Sequence, residues 1–406
     1  MKRSTERILT THVGSLVRPP EILEAIMSQV AGRSFDQSRF EAQLSRAVRD
    51  VVHKQAEIGI DIPSDGEFSK PSFHGYITER LGGLEQVAPE KRPAEVGAMY
   101  SMLGEQFPGF MKQYNGMYRT MWLPPSLPKD LVEAAINTLV ERSRVVGPIT
   151  YKGTAQLTRD LDNYKAALAG CSFAEAFVPA ATPARNDADP GNVYKSEEEY
   201  LYALAEAMHV EYKAIVDAGF VVQLDLGLPA RNQVLPGNPH PTPEQLRRVS
   251  EIQVEAYNYA LRGIPQDRVR YHLCWGSMNT PHTTDIPLRE FVDLILKINA
   301  QAYAIEAANP RHEHEWKVWE EVKLPPDKIL IPGVVSHSTN VVEHPELIAA
   351  RIKNYAGVVG RENVIASTDC GFSQGWDMIR VHPEVQWAKL SSLVEGAALA
   401  SRDLWK

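Results

Sequence analysis

His272 and Cys274 stand two residues apart in the run 268–276, RVRYHLCWG, whose apolar, β-branched and aromatic content reads as a strand. Side chains alternate faces along a strand, so both ligand-type groups project from the same side. Glu306 falls near the end of the next such run, 302–308, and Cys370 ends another at 363–370. An imidazole, two thiolates and a carboxylate are the ligand types zinc takes. A lone cysteine in a strand is ordinarily a small buried hydrophobe. A buried glutamate, however, needs a partner to offset its desolvation. Four ligand-type residues at the ends of strands therefore point to one metal centre. Two other sets read differently. In 311–315, RHEHE, histidines alternate with charges, which predicts a solvated helix start. Cys171 has no ligand-type neighbour in the sequence and reads as structural.

The elements that must carry these groups recur regularly. Short apolar runs at 8–15, 60–67, 176–182, 220–228, 268–276, 302–308, 329–336 and 363–370 are each followed by a longer stretch of helical periodicity. Eight such repeats predict an α/β fold, a (β/α)8 TIM barrel, whose chemistry sits at the C-terminal ends of its strands. The run 147–153 is a ninth candidate and is assigned to an extra hairpin outside the barrel, within an inserted segment near 88–153. Ser196 with Glu199, and Thr242 with Pro243 and Gln245, mark two helix starts. The first precedes the stripe Leu201, Leu204, Met208, Tyr212, Ile215 and the stop at Gly219. Residues 88–128 break the alternation with Met99, Met102, Met111, Met117 and Met121 among aromatic residues. Two readings fit: an insertion packed on the barrel or at a subunit interface, or an apolar lid over the substrate mouth. Residues 1–406 are read as a single domain.

Composition narrows the partners. The chain has 406 residues, 44% hydrophobic and 23% charged, with a formal net charge of −8. That balance argues against nucleic acid and anionic membranes. No apolar run approaches the roughly 18 residues of a membrane span, and the N-terminal stretch is too polar for a signal peptide. Three cysteines cannot build a disulfide framework, so a cytoplasmic location is expected.

The motifs Tyr271-His272-Leu273-Cys274, Ile305-Glu306, Pro332-Gly333-Val334 followed by His337-Ser338, and Asp369-Cys370-Gly371 together resemble the catalytic domain of cobalamin-independent methionine synthase. Thr11-His12-Val13-Gly14-Ser15 and Asp65-Gly66-Glu67 match the same family in order. The barrel is then of the methionine synthase and uroporphyrinogen decarboxylase-like type. The likeness is to the short, core-only branch, which also holds zinc-dependent epoxyalkane–coenzyme M transferases. The stretches Ala176 to Pro183 and Glu197 to Phe220 carry it.

The resemblance implies Zn2+ on His272, Cys274, Glu306 and Cys370, with a substrate thiol displacing Glu306 and His337 protonating the leaving group. It also implies that Glu67 and Asp225 hold an ammonium, while Gly14 and Ser15 meet a carboxylate; His12 is given no role. Two carboxylates favour an aminothiol over coenzyme M, whose sulfonate they would repel. The expected function is methyl transfer to a small thiol such as homocysteine, and the alternative is epoxyalkane–coenzyme M transfer. A zinc hydrolase is disfavoured, because two thiolates damp Lewis acidity. The sequence departs from the family at Leu226-Gly227-Leu228 after Asp225. It departs again at Pro183-Ala184-Arg185-Asn186, where the synthases stack the folate on a tryptophan. The alkyl donor is therefore left open among folate, corrinoid, epoxide and other molecules. The expected partners are a small thiol and that donor, with a homo-oligomer left open.

Overall fold

The computed structural model describes residues 1–73, 75–86, 101–115, 117–138, 143–183, 188–189, 193–225, 238 and 241–406. Ten strands follow in chain order: β1 Leu9–Thr10, β2 Leu81–Gln86, β3 Ser143–Tyr151, β4 Phe177–Ala181, β5 Ala188–Asp189, β6 Val221–Asp225, β7 Val269–His272, β8 Ala302–Glu306, β9 Ile329–Val335 and β10 Ile365–Thr368.

Seven of them form a parallel sheet in the order β1-β10-β9-β8-β7-β6-β4. The two edges are joined by the segment 61–63. The Ile62 N–H donates to the Thr10 carbonyl at 3.0 Å, and the Phe177 N–H donates to the Pro63 carbonyl at 3.2 Å. This segment fills the place of the second predicted strand, so the eight positions run round the ring in sequence order, with the long helices 37–58, 154–168, 197–217, 243–260, 345–359 and 383–404 around it. The ninth run lies outside, as expected: β3 pairs antiparallel with β2 and parallel with β5.

Strand periodicity sorts each strand into two faces. Leu9, Ile62, Phe177, Val221, Ala302, Ala304, Ile329, Ile331 and Ile365 form one apolar cluster inside the ring. Val222, Leu224, Tyr271, Tyr303, Ile305, Leu330 and Val334 pack outward with the helices. Two residues above Val221 along β6, Gln223 begins a polar layer. The fully buried Arg270 donates to Gln223 Oε1 at 2.6 Å, Thr11 Oγ1 at 3.1 Å and the His12 carbonyl at 2.8 Å. Its guanidinium also lies 3.7 Å from the Phe177 ring centroid. Arg270→Met strips three acceptors of their donor and is expected to cost about 3 kcal/mol, read from urea unfolding. A change inside about 0.5 kcal/mol would mean that this layer does not hold the barrel.

The helix starts form as read. Thr242 and Gln245 make a complete capping box before the helix Pro243–Ala260. Ser196 caps the Glu199 N–H at 3.1 Å, but the Glu199 carboxylate accepts from Lys195 instead of closing the box. The whole predicted stripe from Leu201 to Ile215 is buried. Among the described residues, no helix is long and apolar enough to cross a membrane.

Candidate metal centre

Pairing in register carries the chemistry to one end of the ring. His272 pairs with Ala304 and Glu306 with Gly333, each at the last position of its strand, and Ala181 pairs with Asp225. Cys274 follows β7 by two residues and Cys370 follows β10 by two. The ligand atoms of His272, Cys274 and Cys370 all lie within 4.8 Å of one another, and the two sulfurs are 3.6 Å apart.

Three observations fit this trio to a metal ion. His272 is 3% exposed, yet neither ring nitrogen has a hydrogen-bond partner among the described residues, a costly arrangement unless something binds there. Burial, aided by Arg270, lowers its pKa to about 3, so the ring is neutral and its lone pair available. Each sulfur also faces an N–H: Gly276 N–H on Cys274 at 3.1 Å and Gln374 Nε2 on Cys370 at 3.7 Å. Arg380 orients Gln374 through a 2.8 Å bond to its Oε1. The Cys274 thiol, burial, and the negative Glu306 and Asp225 all push the Cys370 thiol up, so a nearby cation is what would ionise it.

Glu306 lies beside this trio and outside it. Its Oε1 accepts the Trp275 N–H at 2.8 Å and its Oε2 accepts from Asn309 at 3.0 Å. Burial raises its pKa, and His312 partly opposes that rise. Asp369 braces the same corner, accepting from Ala307 and Ala308 N–H at 2.7 and 2.9 Å.

The predicted substrate residues surround the thiolate end. Glu67 is 2% exposed with φ +58, a left-handed backbone that a non-glycine residue adopts only under constraint. A side chain on Gly14 would strike Pro179 and stand 3.0 Å from Glu67 Oε1, so the glycine is what lets β1's loop approach. A methyl on Gly371, the residue after Cys370, would collide with Ser15 Oγ. Asp225 is buried and its pKa raised well above the carboxylate range, by burial first and by Glu67 second.

Lys70, which the sequence reading missed, sits 3.2 Å from Glu67 Oε2 and donates to the Pro179 carbonyl at 2.6 Å. Glu67 thus already has its cation, while among the described residues the Asp225 carboxylate accepts only from neutral Gln223 at 2.9 and 3.0 Å. The Gly14 N–H is committed to His12 Nδ1 at 3.2 Å, and His12 Nε2 to Gln55 at 2.7 Å. His12 is therefore a positioning group for the loop. His337 is 2% exposed with neither ring nitrogen partnered among the described residues; burial, then Arg380, lower its pKa well below the usual value.

One sequence expectation is corrected. His312 and Glu315 do not belong to a solvated helix start, being 2% and 5% exposed. Their burial follows from long-range partners, Trp275 stacked on His312 at 4.0 Å and Asp285 bound to it at 3.0 Å. Cys171 lies outside both ligand clusters formed by the described residues, its sulfur 3.9 Å from the Ala167 carbonyl.

The Met- and aromatic-rich insertion crosses the two loops that carry the sulfurs. Tyr114 accepts the Asn279 N–H at 3.1 Å, Gln106 accepts from Thr283 at 2.6 Å, and Arg119 pairs with Asp377. Met99, Ala184-Arg185-Asn186 and Leu226-Gly227-Leu228 lie outside the described residues.

Residues 189–389 match the model of the cobalamin-independent synthase catalytic domain. The chain is 22% identical to a methionine synthase of Sulfurisphaera tokodaii, covering 97% of this chain and 93% of that protein. It is 24% identical to the uncharacterised protein YxjH of Bacillus subtilis, covering 97% and 94%. The structure of a B12-independent methionine synthase from Shewanella, in complex with selenomethionine, superposes with a TM-score of 0.70 at 18% identity, covering 98% of this chain and 99% of that one. At that identity the likeness shows a common fold.

Proposed function

We propose that this chain, related over nearly its whole length to the cobalamin-independent methionine synthases, transfers a methyl group to the sulfur of homocysteine or a similar aminothiol. The observation that carries this reading is the trio His272, Cys274 and Cys370, with an imidazole unpartnered among the described residues, beside the buried carboxyl of Asp225. The Shewanella neighbour, whose bound selenomethionine is the selenium counterpart of the expected product, supports it.

Zinc held by the trio, with Glu306 as a fourth and weaker ligand, would lower the pKa of an incoming thiol so that its thiolate persists at neutral pH. Glu306 would be the ligand most easily displaced, because Trp275 and Asn309 already hold both of its oxygens. Lys70 neutralises Glu67, and Asp225, whose carboxyl burial and Glu67 push toward its neutral form, would ionise against one substrate ammonium. Ser15 takes the substrate carboxylate, since the Gly14 N–H is spent on His12. The thiolate sulfur forms a bond to the methyl carbon as the bond from carbon to the donor breaks. His337 supplies the proton that the departing group needs. Burial and Arg380 keep this ring neutral in the metal-free protein; a dication carrying both cysteine thiolates and the substrate thiolate would be net negative and would favour the protonated ring that acts as the acid. Three unpaired cysteines support a reducing cytoplasm as the compartment.

Zinc-loaded protein is expected to convert homocysteine to methionine with a methyl-folate or a methyl-corrinoid donor. It should leave 4-mercaptobutyrate, which lacks the ammonium, unmethylated. Mass spectrometry of the thioether products decides this. A product formed only from coenzyme M and epoxypropane would replace this reading with the epoxide one.

A further inference from the structure

Behind the Cys274 loop lies a second group of ligand-type side chains that the proposed reaction does not use. Asp285 Oδ2 is 2.6 Å from His282 Nδ1 and 3.0 Å from His312 Nε2. The outer nitrogens are engaged as well, His282 Nε2 by the Met278 carbonyl at 2.8 Å and His312 Nδ1 by Glu315 Oε2 at 2.9 Å. Glu315 is itself fixed, its Oε1 accepting the Leu288 N–H at 2.8 Å. His282 has φ +53, a left-handed conformation that a histidine holds only when its surroundings impose it.

Counting protons exposes the tension in this cluster. All four ring nitrogens face oxygens that accept hydrogen bonds, whereas a neutral imidazole carries one N–H. Two neutral rings would therefore set lone pairs against lone pairs. Either both rings are imidazolium, with two protons pointing at Asp285, or a cation takes the place of those two protons.

We propose that His282 Nδ1, His312 Nε2 and Asp285 Oδ2 form a second metal site, for a divalent transition ion, distinct from the thiolate centre. The three atoms lie within 4.8 Å of one another. The outer acceptors, a carbonyl and a carboxylate, select the tautomers that turn both lone pairs inward, the arrangement that accompanies metal-binding histidines. Two nitrogens and one oxygen, with no sulfur, suit zinc and its neighbours, and three protein ligands leave a position open. Exchanging two protons for one dication leaves the charge of this buried cluster unchanged, so either form can be accommodated. The exposed Thr283 beside His282 gives the ion its entry.

The test removes the thiolates first. Zinc titrated into the metal-free Cys274→Ala/Cys370→Ala variant should bind as one equivalent. Adding Asp285→Asn or His282→Gln should weaken that binding by more than the roughly 100-fold that loss of an outer partner costs. Cobalt(II) on the unaltered protein guards against misfolded variants. Two equivalents should bind, only one of them with a sulfur-to-metal charge-transfer band. No zinc uptake by the double-cysteine variant, uptake indifferent to both added substitutions, or a single sulfur-bound cobalt in the unaltered protein would each overturn the proposal and leave a salt-bridged imidazolium pair. The charge-transfer band reports the thiolate centre separately, so failure of one site is distinguishable from failure of the other.

Discussion

Cys370→Ala and Cys274→Ala are each expected to remove the sulfur-bound metal and to cut methyl transfer by about 10³-fold or more, several kcal/mol of lost transition-state stabilisation. Both sulfurs stand beyond the ends of their strands, so neither substitution breaks a strand pair. Far-UV circular dichroism should be unchanged, while metal content falls by one equivalent and the cobalt charge-transfer band weakens or disappears. Either variant that kept a full sulfur-bound metal complement and its activity would remove the ligand assignment. Serine in place of alanine separates geometry from chemistry, since it restores the volume without the soft donor.

His337→Asn should leave metal content and homocysteine binding where they are and slow turnover by roughly 10²- to 10³-fold, the range a positioned general acid contributes. The two nitrogens of the His337 ring have no partner among the described residues, and Arg380 and His272 are close enough to influence its charge. A donor whose departing group leaves without protonation should lose much less. Equal losses with both kinds of donor would make His337 a packing residue. Single-turnover kinetics with zinc-loaded protein gives the rate, and product analysis shows whether the reaction is the same one.

Much of this was legible in the amino-acid sequence, for a physical reason. Barrel strands alternate between an apolar interior and an apolar helix layer, so runs such as 302–308 stand out whatever surrounds them. The strand end is where ligand-type residues can leave that apolar environment, and His272, Glu306 and Asp225 all occupy the last strand position. Orientation was harder to read. Whether the Glu306 carboxylate faces the sulfurs or Trp275 depends on a backbone N–H from a different strand's loop. The 311–315 segment was misread because its alternating charges are a local surface signal, whereas its burial is decided by Trp275 and Asp285, more than 25 positions earlier. Lys70 carried a usable sign, since it follows Glu67 by three residues at a strand exit. Gln374 and Arg380 carried none, as their role exists only once the loop after β10 folds back on Cys370.

The narrow joint in the ring has a consequence for how such a protein changes over generations. The strand leading to Gly14 and Ser15 is two residues long, and one backbone bridge, Thr11 to Ile62, links it to the segment leading to Glu67, the rest of the joint being side-chain bonds such as Thr10 N–H to Asp61 Oδ2 at 2.8 Å and Ser64 Oγ to the Gly14 carbonyl at 2.9 Å. The β6–β9 wall supporting His272 and Glu306 is stitched by longer pairings. Breathing is easiest where the stitches are fewest. Asp61 and Ser64 supply stitches there that backbone pairing supplies beneath His272 and Glu306, so substitutions at those two positions would reach the proposed cradle for the substrate's amino-acid end before the proposed grip on sulfur.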